Sequence, residues 1–266
     1  MVELDVCREI SGRYGLPLQF VMKEFRIIDL LGKMQTINSE IHANLIFKGG
    51  TAINRIYFGD ISRFSEDIDF DEISNNTIES RLNRIKSIIN KIEGYDIDKA
   101  RVLHRTFRFD CFFKNELGQK DLIRLEFNLK HTKTMTVHPL AAGVVKSGIT
   151  GTVVFGVPTY SLEDLLARKL YALYNRMEGK DVYDVNIGLK KIKEKKNFLK
   201  AIDCVLKLEK EKTTLNKFIK ETCDKLEKAD TKTMKRLTNN YIPISVRPSD
   251  WNVLIDDIIN NLEALF

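Results

Sequence analysis

NLIFKGGTA at Asn44–Ala52 and, twelve residues after Thr51, RFSEDIDF at Arg63–Phe70 are the stretches on which the fold turns. The apolar run of the first reads as a short buried strand over 44–48, with Gly49-Gly50 as punctuation. A helix is expected to open directly on the glycines, over 51–57. In the second stretch Ile68–Phe70 reads as another short strand. Side chains alternate along a strand, so Asp67 and Asp69 point one way while Ile68 and Phe70 enter the core. Strand, glycine pair, helix and strand in quick succession mark a mixed α+β region.

Working outward, residues 18–37 space Leu18, Val21, Phe25, Ile28 and Leu31 along one helical stripe. An amphipathic helix is expected over 77–93. Two strands follow, at 105–113 and 121–129, joined by a hairpin turn at 115–120 that contains Gly118. Residues 131–160 carry Pro139, Gly143, Gly148, Gly151, Gly156 and Pro158 among Val and Thr, the signature of loops and short strands. Helical patterns then take over at 161–177, 181–196, 197–209, 213–228 and 250–264. The change at Thr159–Ser161 predicts two domains, 1–160 and 161–266, the first α+β and the second all helical.

The second predicted strand alternates as well, with Arg124, Glu126 and Asn128 on one face and Ile123, Leu125, Phe127 and Leu129 on the other. If it neighbours the Asp67–Asp69 strand, three carboxylates converge. Like charges side by side are costly unless a cation neutralises them. An all-oxygen set suits Mg²⁺, which keeps several waters and draws other ligands from substrate phosphates. Two such ions can activate an attacking hydroxyl and stabilise a leaving pyrophosphate. Gly49 and Gly50 lack Cβ atoms, and the helix start after them offers free N–H groups to phosphate; Thr51 adds a hydroxyl donor. D-x-D, Gly-Gly or a strand glutamate is each common alone. Their order here is much harder to produce by chance.

Composition is consistent with a folded, non-membrane chain. The 266 residues are 43% hydrophobic and 30% charged, with 15 Phe and 8 Tyr, too apolar for a disordered chain. Cys7, Cys111, Cys204 and Cys223 are far apart with no C-x-x-C pair, which excludes a zinc ribbon and fits reduced cytosolic thiols. No run reaches the ~18 apolar residues of a membrane span, and Glu3, Asp5, Arg8 and Glu9 occupy the place of a signal peptide's apolar core. A cytoplasmic protein is expected. His42, His104, His131 and His138 are scattered and form no motif. Residues 189–236 hold 16 Lys/Arg against 8 Asp/Glu, so this segment carries +8 of a chain whose net charge is +6. Either a solvated helical face or a phosphate-backbone surface accounts for it, and Lys in place of Arg argues against base-specific readout.

Phe47-Lys48-Gly49-Gly50-Thr51-Ala52 followed by Arg63 to Phe70 resembles the AbiEii/AbiGii nucleotidyltransferase-like toxin family, within the DNA polymerase β-type nucleotidyltransferase superfamily. A second block, Lys169, Ala172, Arg176, Lys180, Asp181 and Asp184, is similar to that family's K-x-x-A-x-x-x-R-x-x-x-[RK]-D-x-x-D motif. The resemblance implies a polymerase-β-like palm domain with a C-terminal helical domain and an NTP as donor. It implies that Gly49, Gly50 and Ser65 contact triphosphate, that Asp67 and Asp69 hold metal, and that Glu126 is the third carboxylate. Lys169 and Asp184 would border nucleotide or acceptor, with Arg176, Lys180 and Asp181 beside them. On one continuous helix Lys169, Arg176, Lys180 and Asp184 fall within roughly 80° of one another, a stripe of cations aimed at triphosphate.

The expected function is Mg²⁺-dependent transfer of NMP from an NTP to an acceptor hydroxyl. The acceptor is expected to be RNA, of the tRNA class, in a toxin–antitoxin or phage-defence module with a cognate antitoxin as partner. Two alternatives use the same residues: an NTP-binding regulator that transfers nothing, and a nucleotidyltransferase that modifies protein.

Overall fold

A computed structural model of the chain describes residues 2–59, 62–103 and 105–265. His104 therefore lies outside the described residues. The chain divides into two compact units, one of residues 1–134 with 141–159, the other of residues 135–140 with 160–266. Residues 135–140 thus go with the helical unit, where the Val137 N–H donates to Asp164 Oδ1 over 3.0 Å.

The first unit begins with two helices, α1 (Leu4–Tyr14) and α2 (Leu18–Ile41). Strand β1 (Leu45–Lys48) leads straight into a helical turn, α3 (Gly49–Ala52), which widens into a π-helical turn over Ile53–Phe58. The glycines are therefore the first residues of the helix. Strand β2 (Asp67–Glu72) and helix α4 (Ile78–Ile89) follow, then β3 (Asp96–Ile97), β4 (Arg101–Leu103), β5 (Thr106–Lys114), β6 (Lys120–Asn128), β7 (Ala141–Lys146) and β8 (Val153–Thr159).

The strands form one mixed sheet in the order β3-β5-β6-β2-β1-β8-β7, with β4 paired to β5. β2 runs parallel to β6 and antiparallel to β1. The expected β5–β6 hairpin is present, Gly118 taking φ 72° in its turn. One face of the central strands is aromatic: Phe47, Phe70, Phe127 and Phe109 stack or meet edge-on with ring centroids 5.6–5.9 Å apart. Each is almost fully buried, worth roughly 1.5–3 kcal/mol per side chain. Cys111 shares that face, and burial pushes its thiol up to about 12.

The second unit is helical: α5 (Leu162–Arg176), α6 (Gly179–Lys191), α7 (Lys195–Glu209), α8 (Leu215–Leu226), α9 (Thr231–Thr238) and α10 (Trp251–Glu263). Ser161, Thr214, Asp230 and Asp250 cap four of these with side-chain acceptors, as such residues do at helix starts. Helices α1 and α9 and strands β3 and β4 were not expected; the two strands are only two and three residues long. Among the described residues no helix is long and apolar enough to cross a membrane.

Candidate active site

β1 delivers Lys48 and the two glycines to the edge of the polar sheet face. Gly49 takes φ 77°, a conformation open to glycine and strained for other residues. Next to it the chain enters the π-helical turn, a wide and uncommon geometry concentrated at functional sites. That turn sends Asn54 back to the glycines: its amide donates to the Gly50 carbonyl over 2.8 Å, and its oxygen accepts the Arg63 N–H over 3.0 Å. Arg55 makes a buried ion pair with Glu24 of α2 and donates to the Ser65 carbonyl over 3.1 Å. Burial pushes the Glu24 carboxyl up and the Arg55 guanidinium down, and each partner's charge opposes that. The loop carrying Ser65 is thus held from below by buried charge.

Thr51 is expected to offer a hydroxyl to phosphate; here that hydroxyl is engaged within the protein. Its side chain is fully buried, with the hydroxyl hydrogen-bonded to Ser65 Oγ at 2.9 Å and to the Asp67 carbonyl. It ties the helix start to the beginning of β2. Ser65 is 8% exposed and shares that bond.

Asp67 and Asp69 share one face of β2, as alternation requires. In the sheet register Asp69 stands opposite Glu126 of β6, and Asp67 opposite Arg124. The strand adjacency needed for three carboxylates to share a face is therefore present. They do not, however, gather into a ligand cluster: among the described residues no group of three or more His, Cys, Asp or Glu side chains is placed to hold a metal ion. Two of the three acids face a cation instead. Arg108 of β5 binds Glu126, Nε at 2.8 Å and Nη2 at 2.6 Å, while Arg124 lies 3.6 Å from Asp67. Lys48 meets Asp71, the next acid on the same face, at 2.5 Å. None of Lys48, Asp71, Arg108 or the Asp67-facing role of Arg124 was singled out from sequence. Asp71 was within reach, being i+2 from Asp69 on one strand.

The donor chemistry still fits magnesium. Asp67 and Asp69 offer oxygens only, from one face of one strand, and Mg²⁺ is commonly held by one or two carboxylates plus substrate phosphates. Arg108 takes only Oε1 of Glu126, so its Oε2 stands outside that ion pair, with the guanidinium close by.

The second block is arranged differently from the expected single stripe. α5 ends at Met177, which takes the left-handed conformation at φ 49°, and α6 begins at Gly179. Gly179 is where α6 meets α9: a Cβ there would lie 2.4 Å from Thr238 Oγ1 and 3.1 Å from the Met234 carbonyl. Lys169 is 8% exposed, its ammonium 2.8 Å from both Asp181 and Asp184, which are fully buried. Arg176 grips Asp181 with two hydrogen bonds, at 2.7 and 2.9 Å. Burial raises the Asp181 carboxyl, but Arg176 and Lys169 outweigh it and bring it to about 2. Lys180 lies over the Tyr241 ring at 3.6 Å. Lys169, Asp181 and Asp184 therefore meet as a buried ionic clasp between α5 and α6, with the exposed Arg176 closing over Asp181.

The family model for the nucleotidyl transferase AbiEii toxin of type IV toxin–antitoxin systems matches residues 34–263. No curated protein matches the sequence. Among solved structures the chain is similar to the nucleotidyltransferase toxin MenT4 of Mycobacterium tuberculosis, with 17% identity, TM-score 0.66, and 100% of this chain and 89% of that one covered. It is also similar to JHP933 from Helicobacter pylori, with 17% identity, TM-score 0.58 and coverage of 94% and 93%. At these identities the likeness is one of fold. The family match spans both sequence blocks and most of the chain, and the chain belongs to the AbiEii family of nucleotidyltransferase toxins.

Proposed function

We propose that the protein is a magnesium-dependent enzyme that transfers NMP from an NTP to an acceptor hydroxyl on RNA, of the tRNA class. It acts in the cytoplasm as the toxin of a toxin–antitoxin or phage-defence module. The observation that carries this is the pairing of Asp69 with Glu126 in register, beside Asp67 and next to the Gly49-Gly50 helix start.

In this reading Gly49 and Gly50 offer backbone N–H groups to the triphosphate, where the helix start favours anions. Asp67 and Asp69 hold the metal, with Glu126 as a further ligand. Magnesium, when bound, offsets phosphate charge and stabilises the leaving pyrophosphate. One carboxylate accepts the proton of the attacking hydroxyl, so the oxygen attacks the α-phosphorus as the pyrophosphate bond breaks. Lys169, Arg176, Asp181 and Asp184 act as a frame for the helical unit, and the lysine-rich 189–236 segment supplies a surface for RNA phosphates. The charge of that segment supports RNA as acceptor.

The test is incubation with each of the four NTPs, radiolabelled at the α-phosphate, with Mg²⁺ and total tRNA, and Asp67→Asn as control. Label on RNA that vanishes in the variant supports the proposal and names the donor. Label on protein alone overturns RNA as acceptor. NTP binding with no labelled product overturns transfer under this reading.

A further inference from the structure

The polar sheet face is nearly charge-balanced by its own residues. One row across four strands reads Lys48, Asp69, Glu126, Arg108. The next reads Asp67, Arg124, Asp110, and Arg101 reaches Asp110 at 2.5 Å. Among the described residues only one direct register pair on this face joins two acids, Asp69 with Glu126. Opposed residues stand about 4.5–5.5 Å apart at Cβ, close enough for two carboxylates to repel. Arg108 stands directly across from Glu126 on the far side, and both of its contacts converge on Glu126 Oε1.

That geometry makes Arg108 a competitor for any cation drawn to Glu126. A divalent ion on the same carboxylate faces the guanidinium as a like charge, so the two disfavour each other. A displaced Arg108 has a natural second partner. Its planar fork matches phosphate as well as carboxylate. Its side chain is 31% exposed, so the head can turn without any backbone movement.

We infer that Arg108 is an exchanging counter-ion: it neutralises Glu126 while no divalent ion is bound, and turns to a nucleotide phosphate when one is. This rests on the magnesium-dependent reading above and adds to it the residue that links metal loading to nucleotide capture. The consequence is a pair of effects of opposite sign. Removing Arg108 frees Glu126 for metal and at the same time takes away a phosphate ligand. A residue with a purely structural role weakens both or neither.

The experiment uses the full chain and Mn²⁺ as probe. Free Mn²⁺ is followed by electron paramagnetic resonance without nucleotide, for the wild type, Arg108→Gln, Arg108→Lys, Glu126→Gln and the Arg108→Gln/Glu126→Gln double variant. Binding of ATP, CTP, GTP and UTP in turn is then measured by equilibrium dialysis at saturating Mn²⁺. Arg108→Gln is expected to bind Mn²⁺ about fivefold tighter, the worth of a part-exposed ion pair. It should bind the preferred NTP about tenfold more weakly, with Arg108→Lys between. In the Glu126→Gln background, Arg108→Gln should no longer change Mn²⁺ affinity, because the effect acts through that carboxylate. Wild-type Mn²⁺ binding with an unchanged Arg108→Gln, or a variant weakened in both measurements, overturns the exchange alone. A wild type that binds Mn²⁺ only when NTP is present overturns the exchange alone, and one that binds none with or without NTP overturns the metal reading and the exchange together.

Discussion

Gly49 is seated on the carboxylate of Asp69: a Cβ placed on Gly49 would lie 2.2 Å from Asp69 Oδ2 and 2.9 Å from its Cγ. Asp69 lies on β2 in register with Lys48, the last residue of the antiparallel strand β1 and the one directly before the glycine. The glycine therefore answers to the carboxylate as well as to the φ of 77° and to any phosphate above it. Gly49→Ala is expected to displace Asp69 and reduce transfer at least about a hundredfold. Gly118→Ala is the matched control, because Gly118 has φ 72° with nothing within 4 Å of its would-be Cβ. It should cost about 1 kcal/mol in thermal unfolding and leave transfer intact. Equal losses of activity in both variants would show that backbone strain, and not the carboxylate, explains Gly49.

The buried Thr51 hydroxyl can be tested with its isostere. Thr51→Val keeps the volume and leaves the Asp67 carbonyl and the Ser65 hydroxyl short of a partner. An unmet buried group costs about 1–3 kcal/mol. Urea unfolding should show that loss, and transfer should fall with it because β2 starts at Asp67. Thr51→Ser, which keeps the hydroxyl, should recover most of the activity.

Charge burial under the Ser65 loop predicts strong non-additivity. Arg55→Met leaves Glu24 buried without its cation and is expected to destabilise the chain by about 3–5 kcal/mol. Adding Glu24→Leu should recover much of that. Additive losses in the double variant, read from denaturant midpoints, would refute the idea that the two residues act as a pair.

The ionic clasp of the helical unit predicts a pH dependence. Asp181 is brought from an ordinary 3.8 to about 2 in the folded chain. A depressed carboxyl contributes stability in full above its unfolded value and loses it as pH falls through the folded one. Its contribution, of order 2 kcal/mol, should be present above about pH 5 and fade between pH 4 and 2. Lys169→Met removes one of the two cations that lower Asp181. Acid unfolding followed by circular dichroism should then move to higher pH. An unshifted acid midpoint would argue that Arg176 alone sustains the clasp.

Local signals in the sequence were strong where one element decides the outcome. The Asp67–Asp69 alternation is a property of a single strand, and the β5–β6 hairpin follows from two alternating runs around Gly118. The 18–37 stripe falls within α2, which extends to Ile41. The second block was legible as a set of residues but not as a shape. Counting 100° per residue across it assumed one helix, whereas Met177 in the left-handed conformation starts a new direction. Lys169 and its carboxylates still meet, but by helix packing rather than by phase.

What the sequence by itself determined is the family, the α+β front, the helical back, and the alternation that sets Asp67 and Asp69 on one face of their strand. Each of these depends on residue type and short-range spacing. Only the tertiary structure decided that Glu126 faces Asp69, that Arg108 and Arg124 hold two of the three acids, and that the Thr51 hydroxyl is buried. The facing of Asp69 with Glu126 and of Asp67 with Arg124 depends on register between β2 and β6, strands more than fifty residues apart. A shift of one residue in that register would turn every side chain to the opposite face, and what sets it is the burial of Ile68, Phe70, Leu125 and Phe127 on the other side of the sheet.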